Sequence, residues 1–328
     1  MTIEQTRRSP ESFSGLKNSR NLAVGGAILG AAMIADRAVP YFSHRKFDKQ
    51  PTLISRQHEA EKDIYVFPGC RMDGRLIGQM LEPNFSRLGS TNYVVYPSSG
   101  FDIEPLKEEI LESRQRNPEK PAVLIGLSMG FMAISNFFAD KNFRNDFGAA
   151  ETIVADSSPS GFEDIRRKTK MALNIAKYTG DSSLVYNLMR ARDRQLARSV
   201  NKHLGVFSTE DVLTDLSDGS SATLPTAVAQ SVYIKEFDVK NLDLPQNIAQ
   251  NKFYIHADRD DIVDTDAAFR AYSQSYQDMT EVVDYDRPPV SHAAGAKFQR
   301  AMLDIINGQY NGQAAVSGSI NVDERVLS

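Results

Sequence analysis

The stretch "AVLIGLSMGFMAISNFF", residues 122 to 138, decides the fold. Ala122 to Gly126 read as a strand buried on both faces, because the apolar run shows no polar alternation. Past Ser128 the chain continues as an apolar helical run, predicted over 128 to 140. Gly126, Ser128 and Gly130 frame the join as G-x-S-x-G. A serine on so tight a strand-to-helix turn needs small neighbours for clearance, and the turn exposes its Oγ to the amino-terminal field of the helix. The same residues would also build an ordinary glycine-rich corner, so the rest of the chain must supply the partners of a nucleophile.

Working outward, short apolar runs alternate with helical ones from residue 51 onward. "PTLIS", "DIYVF", "NYVVY", "AVLIG", "TIVAD", "KFYIH" and "EVVDY" read as strands. Helices are predicted near 74 to 82, 104 to 116, 128 to 140, 265 to 278 and 293 to 308. Such alternation implies right-handed βαβ crossovers and an α/β fold: a mostly parallel, twisted sheet with helices on both faces. Ligands of such sheets bind at the carboxyl ends of the strands.

One interval breaks the rhythm. Almost a hundred residues separate Asp156 from Lys252, too many for a structureless loop, and they read as helices at about 162 to 178, 183 to 203, 209 to 217 and 225 to 238. The expected organisation is therefore an N-terminal segment (1 to 50), a core from 51 to 160 and 240 to 310, a helical lid insertion at 161 to 239, and a loose polar tail at 311 to 328. Phe162, Ile165, Ala172, Leu173 and Ala176 would share one face of the first insertion helix, with Arg166, Arg167, Lys170 and Lys177 beside it. Residues 161 to 202 hold ten Lys and Arg against four Asp and Glu, a local +6 in a chain of net charge −4. Either this is an ordinary solvated face, or it meets an anionic membrane surface or an acidic partner.

The 328 residues and 41% hydrophobic composition give a sizeable core, and the acidic balance excludes an overall nucleic-acid-binding field. A single cysteine, Cys70, excludes an intrachain disulfide and a cysteine-based zinc cage. No Walker A motif and no strand-linked GxGxxG occurs, so no nucleotide cofactor is expected, and the Asp258 to Asp264 run lacks the glycine and glutamate of an EF-hand, so no metal is expected either. Residues 21 to 35, "NLAVGGAILGAAMIA", form an uncharged run shorter than the roughly 20 residues of a spanning helix. The run fits a membrane anchor or signal segment as well as it fits a packed amphipathic helix, which leaves location between cytoplasmic and membrane-associated.

A serine hydroxyl needs a base to take its proton, and the base needs a carboxylate to fix its tautomer. Of the five histidines, His292 follows the last predicted strand and the loop "DRPPVS" and stands just before the final helix. "IHADRDDIVD" places Asp258, Asp260, Asp261 and Asp264 after the penultimate strand. The chain order Ser, Asp, His, each past a different strand end, is the order of a hydrolase sheet.

With these residues in place the sequence resembles the α/β-hydrolase superfamily over roughly residues 50 to 310, the insertion excepted. "GLSMG" resembles the nucleophile elbow, which implies Ser128 as nucleophile. "YIHADRDDIV" is similar to the family's strand-H-G-x-x-D-x-x-V segment, which implies Asp260 as the acid, with Asp261 adjoining. "SH" before the last helix resembles the catalytic-histidine loop, which implies His292. The family's H-G after the early strand is replaced by Pro68 and Gly69, so the backbone amides of Cys70 and Met129 are the expected oxyanion donors. Phe131 stands where the family has a small residue, and the elbow helix should pack differently there. The implied activity is hydrolysis of a small-molecule ester or thioester, possessing an acyl chain or not, through an acyl-enzyme. An acyltransferase with the same triad and a silent binding protein on the same fold are the alternatives.

Overall fold

All seven apolar runs enter one sheet: β1 (Thr52–Arg56), β2 (Lys62–Phe67), β3 (Gly89–Val95), β4 (Ala122–Leu127), β5 (Ala150–Asp156), β6 (Ala249–Ala257) and β7 (Thr280–Asp284). The computed structural model describes residues 51–59, 61–70, 72, 74–97, 101–167, 169–170, 173, 224–257, 260, 262–284 and 296–310. The N-terminal segment with its 21 to 35 run, most of the insertion with its arginine face, and the tail lie outside the described residues. No helix among the described residues is long and apolar enough to cross a membrane.

The strand order is β1-β3-β2-β4-β5-β6-β7. β1 runs antiparallel to β3, and every other pairing is parallel. The expected mostly parallel sheet is therefore observed, with one antiparallel edge strand. The helices are α1 (Gly74–Phe85), α2 (Glu104–Arg116), α3 (Met129–Ala139), α4 (Lys141–Phe147), α5 (Leu224–Glu236), α6 (Thr265–Tyr276) and α7 (Ala296–Ile306).

Side-chain alternation sorts each strand into two cores. Tyr65 and Phe67 of β2 and Leu124 of β4 join one core with α2, α3 and α6 residues such as Leu106, Phe131, Phe137 and Tyr272. Ile64, Val66, Val123 and Ile125 point the other way, against Ile77 and Leu81 of α1 and Met302 and Ile305 of α7. β4 lies at the centre, buried along its whole length, and so its carboxyl end is the most tightly framed corner of the sheet.

Two local expectations are corrected. The helical run predicted to end at 140 breaks there and restarts as α4, because the Asp140 carboxylate accepts from the Asn142 and Phe143 amides and caps a new helix. That turn folds Phe143 and Phe147 onto Phe138. The insertion does not begin as one helix over 162 to 178: Phe162–Asp164 form a 3-10 turn, and Ile165 is extended and bridged to Val263. Phe162 and Ile165 thus share no helix face with Leu173. The backbone bonds to 262–264 are made by their neighbours, the Arg166 amide donating to the Ile262 carbonyl and the Asp264 amide to the Asp164 carbonyl.

Candidate active site

Ser128 occupies the join between β4 and α3 with φ 50° and ψ −120°, a left-handed region that L-residues enter only when their surroundings force it. Two close packing contacts and one hydrogen bond hold the corner. A Cβ on Gly126 would lie 2.3 Å from Phe131 Cα, and one on Gly130 would lie 2.1 Å from the Phe67 carbonyl oxygen. The Ser128 amide donates to the Asp156 carbonyl at the end of β5, at 2.7 Å. The corner therefore has room for glycine alone on either side of the serine.

By position Ser128 is the N-cap of α3, and a serine there ordinarily accepts a bond from the first-turn amides. Its side chain makes no such bond. Leu127 and Met129 are buried while Ser128 is partly exposed, so the corner lifts the hydroxyl out of an otherwise closed core. Phe131, which stands where the resemblance leads one to expect a small residue, is fully buried against Tyr272 and Tyr276, with ring centroids 5.1 and 5.5 Å away. Two tyrosines of α6 supply the space that its ring needs.

The turn after β2 abuts this corner. A Cβ on Gly69 would lie 2.8 Å from Met72 Sδ and 3.2 Å from Ser128 Cβ, so a larger residue in this turn would press on both. Its peptide planes are held in place by named partners. Tyr96 Oη donates to the Pro68 carbonyl at 3.1 Å, the Gly69 amide meets Met72 Sδ at 3.1 Å, and the Met72 amide donates to the Gly69 carbonyl at 3.2 Å. The Gly69 carbonyl and the Cys70 amide belong to one peptide plane and face opposite ways, so the Met72 bond fixes the direction of the Cys70 amide. Burial pushes the Tyr96 phenol well above its usual range, which keeps it a hydrogen-bond donor.

Asp260 lies past the end of β6, 5% exposed. Its Oδ1 accepts from the Ile262 amide at 2.7 Å and the Val263 amide at 2.9 Å. β4 and β6 flank β5, so the Ser128 and Asp260 turns emerge on either side of the β5 carboxyl end. Asp261 and His292 lie outside the described residues. Among the described residues no group of three or more His, Cys, Asp or Glu is placed to hold a metal ion.

Several residues in this neighbourhood carry no motif. Asp156 is fully buried and offers the carbonyl that holds Ser128, and Ser157 after it has φ 43°. Arg166, which sequence periodicity assigns to a basic helix face, instead donates from Nε to the Asp260 carbonyl at 2.6 Å. No local pattern announces a bond that spans 94 residues.

No family model and no curated protein matches this sequence. Solved structures do. An esterase from Exiguobacterium antarcticum superimposes with TM-score 0.56 at 11% identity, over 80% of this chain and 99% of that one. A bromoperoxidase from Bacillus anthracis gives 0.57 at 13%, over 80% and 99%. An enol-lactonase from Burkholderia xenovorans gives 0.53 at 16%, again over 80% and 99%. At such identities the likeness speaks for architecture, and together with the strand order and the strained serine corner it gives this chain the α/β-hydrolase fold.

Proposed function

We propose that the protein is a serine hydrolase that cleaves a carboxylic ester or thioester through an acyl-enzyme. The observation that carries this reading is Ser128: forced into a strained turn, relieved of helix capping, and lifted out of a closed core. Strain of this kind costs on the order of 1–3 kcal/mol, and at Ser128 it coincides with the G-x-S-x-G join and with a side chain that does not cap its helix. An esterase and an enol-lactonase among the structural neighbours point to the same substrate class.

In this reading the Ser128 hydroxyl attacks the ester carbonyl while His292 takes its proton. The negative charge that develops on the carbonyl oxygen is met by the Cys70 and Met129 amides, on the fixed turn after β2 and at the start of α3. Asp260, with Oδ1 committed to the Ile262 and Val263 amides, turns its other oxygen to the histidine and stabilises the imidazolium. The imidazolium then returns the proton to the leaving alcohol or thiol. Water, deprotonated by the same histidine, releases the acid and restores the serine.

A fluorophosphonate probe tests the reading directly. Wild-type protein should be labelled at Ser128 with loss of esterase activity, and Ser128→Ala should be neither labelled nor active. Labelling elsewhere, or an active Ser128→Ala protein, would remove the assignment. Product analysis with added alcohols distinguishes hydrolysis from acyl transfer.

A further inference from the structure

The interval between β5 and β6 does not simply leave the core and return to it. Its first residues lie antiparallel to the turn that carries Asp260. The Asp264 amide donates to the Asp164 carbonyl at 2.7 Å, the Arg166 amide donates to the Ile262 carbonyl at 2.8 Å, and Ile165 is bridged to Val263 between them. Arg166 Nε donates to the carbonyls of Asp260 at 2.6 Å and Val263 at 3.2 Å. The far end of the interval closes on the near end: Asp238 is bridged to Gly161, and the Val239 amide donates to the Ser160 carbonyl at 2.8 Å. Within the near end, the Asp164 carboxylate accepts from both the amide and the hydroxyl of Ser160.

The peptide groups that fix where the Asp260 carboxylate sits divide into two sets. The amides of Ile262 and Val263 are bound by Asp260 Oδ1. The carbonyls of Asp260, Ile262 and Val263 are all bound by Arg166, two through Nε and one through its backbone. Among the described residues of the insertion, Arg166 is therefore the one whose donors gather the carbonyls of the acid turn, while the carboxylate gathers its amides. A cationic donor strengthens hydrogen bonds to carbonyl oxygens.

We infer that Arg166 is a positioning residue for Asp260 and that it ties catalytic competence to the docking of the insertion root on the acid turn. This inference rests on the reading of Asp260 as the triad acid. With the Nε bonds lost, the turn keeps its backbone pairing but loses the contact on the Asp260 peptide itself. A carboxylate displaced by about 1 Å costs roughly 100-fold in rate.

The test uses the full chain and p-nitrophenyl acetate, an acyl group too short to report on any long acyl pocket. Arg166→Met should lower kcat by up to about 100-fold with KM within about twofold of wild type. The acid limb of its kcat/KM profile should move to lower pH, because a general base that loses its carboxylate is protonated less readily. Arg166→Lys should recover part of kcat. Arg166→Met placed in an Asp260→Asn background should slow the enzyme no further. A variant with wild-type kcat and pH profile but a lowered melting temperature would overturn the inference, as would independent, multiplicative losses in the double variant. If Asp260→Asn alone hydrolyses at the wild-type rate, the acid assignment itself fails, a result distinct from failure of the coupling.

Discussion

At the amino ends of the parallel strands, His58 Nε2 lies 2.6 Å from Glu82 Oε1, and the other oxygen of Glu82 accepts from Thr91 Oγ1 at 2.7 Å and Tyr93 Oη at 2.8 Å. At the carboxyl ends, Ser128 and Asp260 sit on turns that flank β5. By residue type the first group, with histidine, carboxylate and hydroxyls in contact, looks more like a triad than the second. The difference lies in the backbone. Thr91 and Tyr93 project from a regular strand, and their hydroxyls are spent on a carboxylate. Ser128 stands at φ 50° with its hydroxyl uncommitted to the helix it opens. A hydrogen-bonded set of triad-like composition thus occupies the regular part of the sheet, and the strained turn at the other end carries the proposed chemistry.

The comparison breaks most visibly on two carboxylates. Asp260→Asn should reduce esterase turnover on the order of 10⁴-fold, since an amide selects the wrong histidine tautomer. Glu82→Gln should leave turnover unchanged. Steady-state rates of both variants on one soluble ester check this, and a comparable loss in both would mean that the amino-end group takes part in catalysis.

The strained turn can be attacked directly. Gly130→Ala would put a Cβ 2.1 Å from the Phe67 carbonyl oxygen and 2.8 Å from that of Pro68. Both contacts are backbone, so the helix start or the β2 end must move. We expect a loss of roughly 3 kcal/mol, the upper range for overpacking, visible as a melting-point fall of roughly 6–12 °C. The turn that presents the Cys70 amide should shift with it, so turnover should fall even at temperatures where the variant is folded. An unaffected melting temperature would show that the corner is not sterically closed.

What the sequence made legible follows the same division. The seven strands and the join at Ser128 were readable because local composition dictates them: buried apolar runs, then glycines where a Cβ has no room. Asp260 was singled out through the resemblance of its segment, and its amide contacts are local, to Ile262 and Val263, while its part in catalysis belongs to the proposal. α4 was missed although its cap, Asp140, stood in the sequence, because the apolar periodicity ran past it. The bonds of Arg166, the extended path of Ile165 and the Glu82 cluster were illegible for another reason. Each depends on partners that chain topology alone brings together, and the basic periodicity around Arg166 pointed to a helix face instead.

Smaller effects sharpen the structural half of the comparison. Burial opposes the charge on Glu82, but bonds from Thr91, His58 and Tyr93 outweigh it and hold its carboxyl below the usual 4.5. A depressed folded value adds stability above the unfolded value, and that stability is lost as pH falls through the folded one. Glu82→Gln should therefore cost about 2 kcal/mol at neutral pH. The deficit against wild type should shrink as pH falls below about 4.5. Denaturant titrations at pH 7 and pH 3 check it, and an equal deficit at both would show that shape rather than charge is what the site needs.

Asp63, at the start of β2, gives the opposite sign and the smallest effect. It is 1% exposed, and among the described residues neither carboxylate oxygen has a partner in full hydrogen-bond geometry, the Asn117 side chain acting on it only weakly. Burial raises its pKa above the usual 3.8, against the opposing pull of Lys120 and Arg114. A carboxyl whose folded value is raised binds its proton more tightly in the native state, so its contribution to stability falls as pH rises from the unfolded value through the folded one. At neutral pH it is a cost, and acidification relieves it while the Glu82 contribution is being lost. Asp63→Asn removes the charge and keeps the shape. It should stabilise the protein by about 1 kcal/mol at pH 7, the lower range for a buried unsatisfied group. The gain should vanish in the acid range, where Asp63 is itself neutral. Chemical denaturation of both proteins from pH 7 to pH 4 measures the two trends together. A variant less stable than wild type at pH 7 would mean that the Asp63 charge, through Lys120 and Arg114, supports the fold after all.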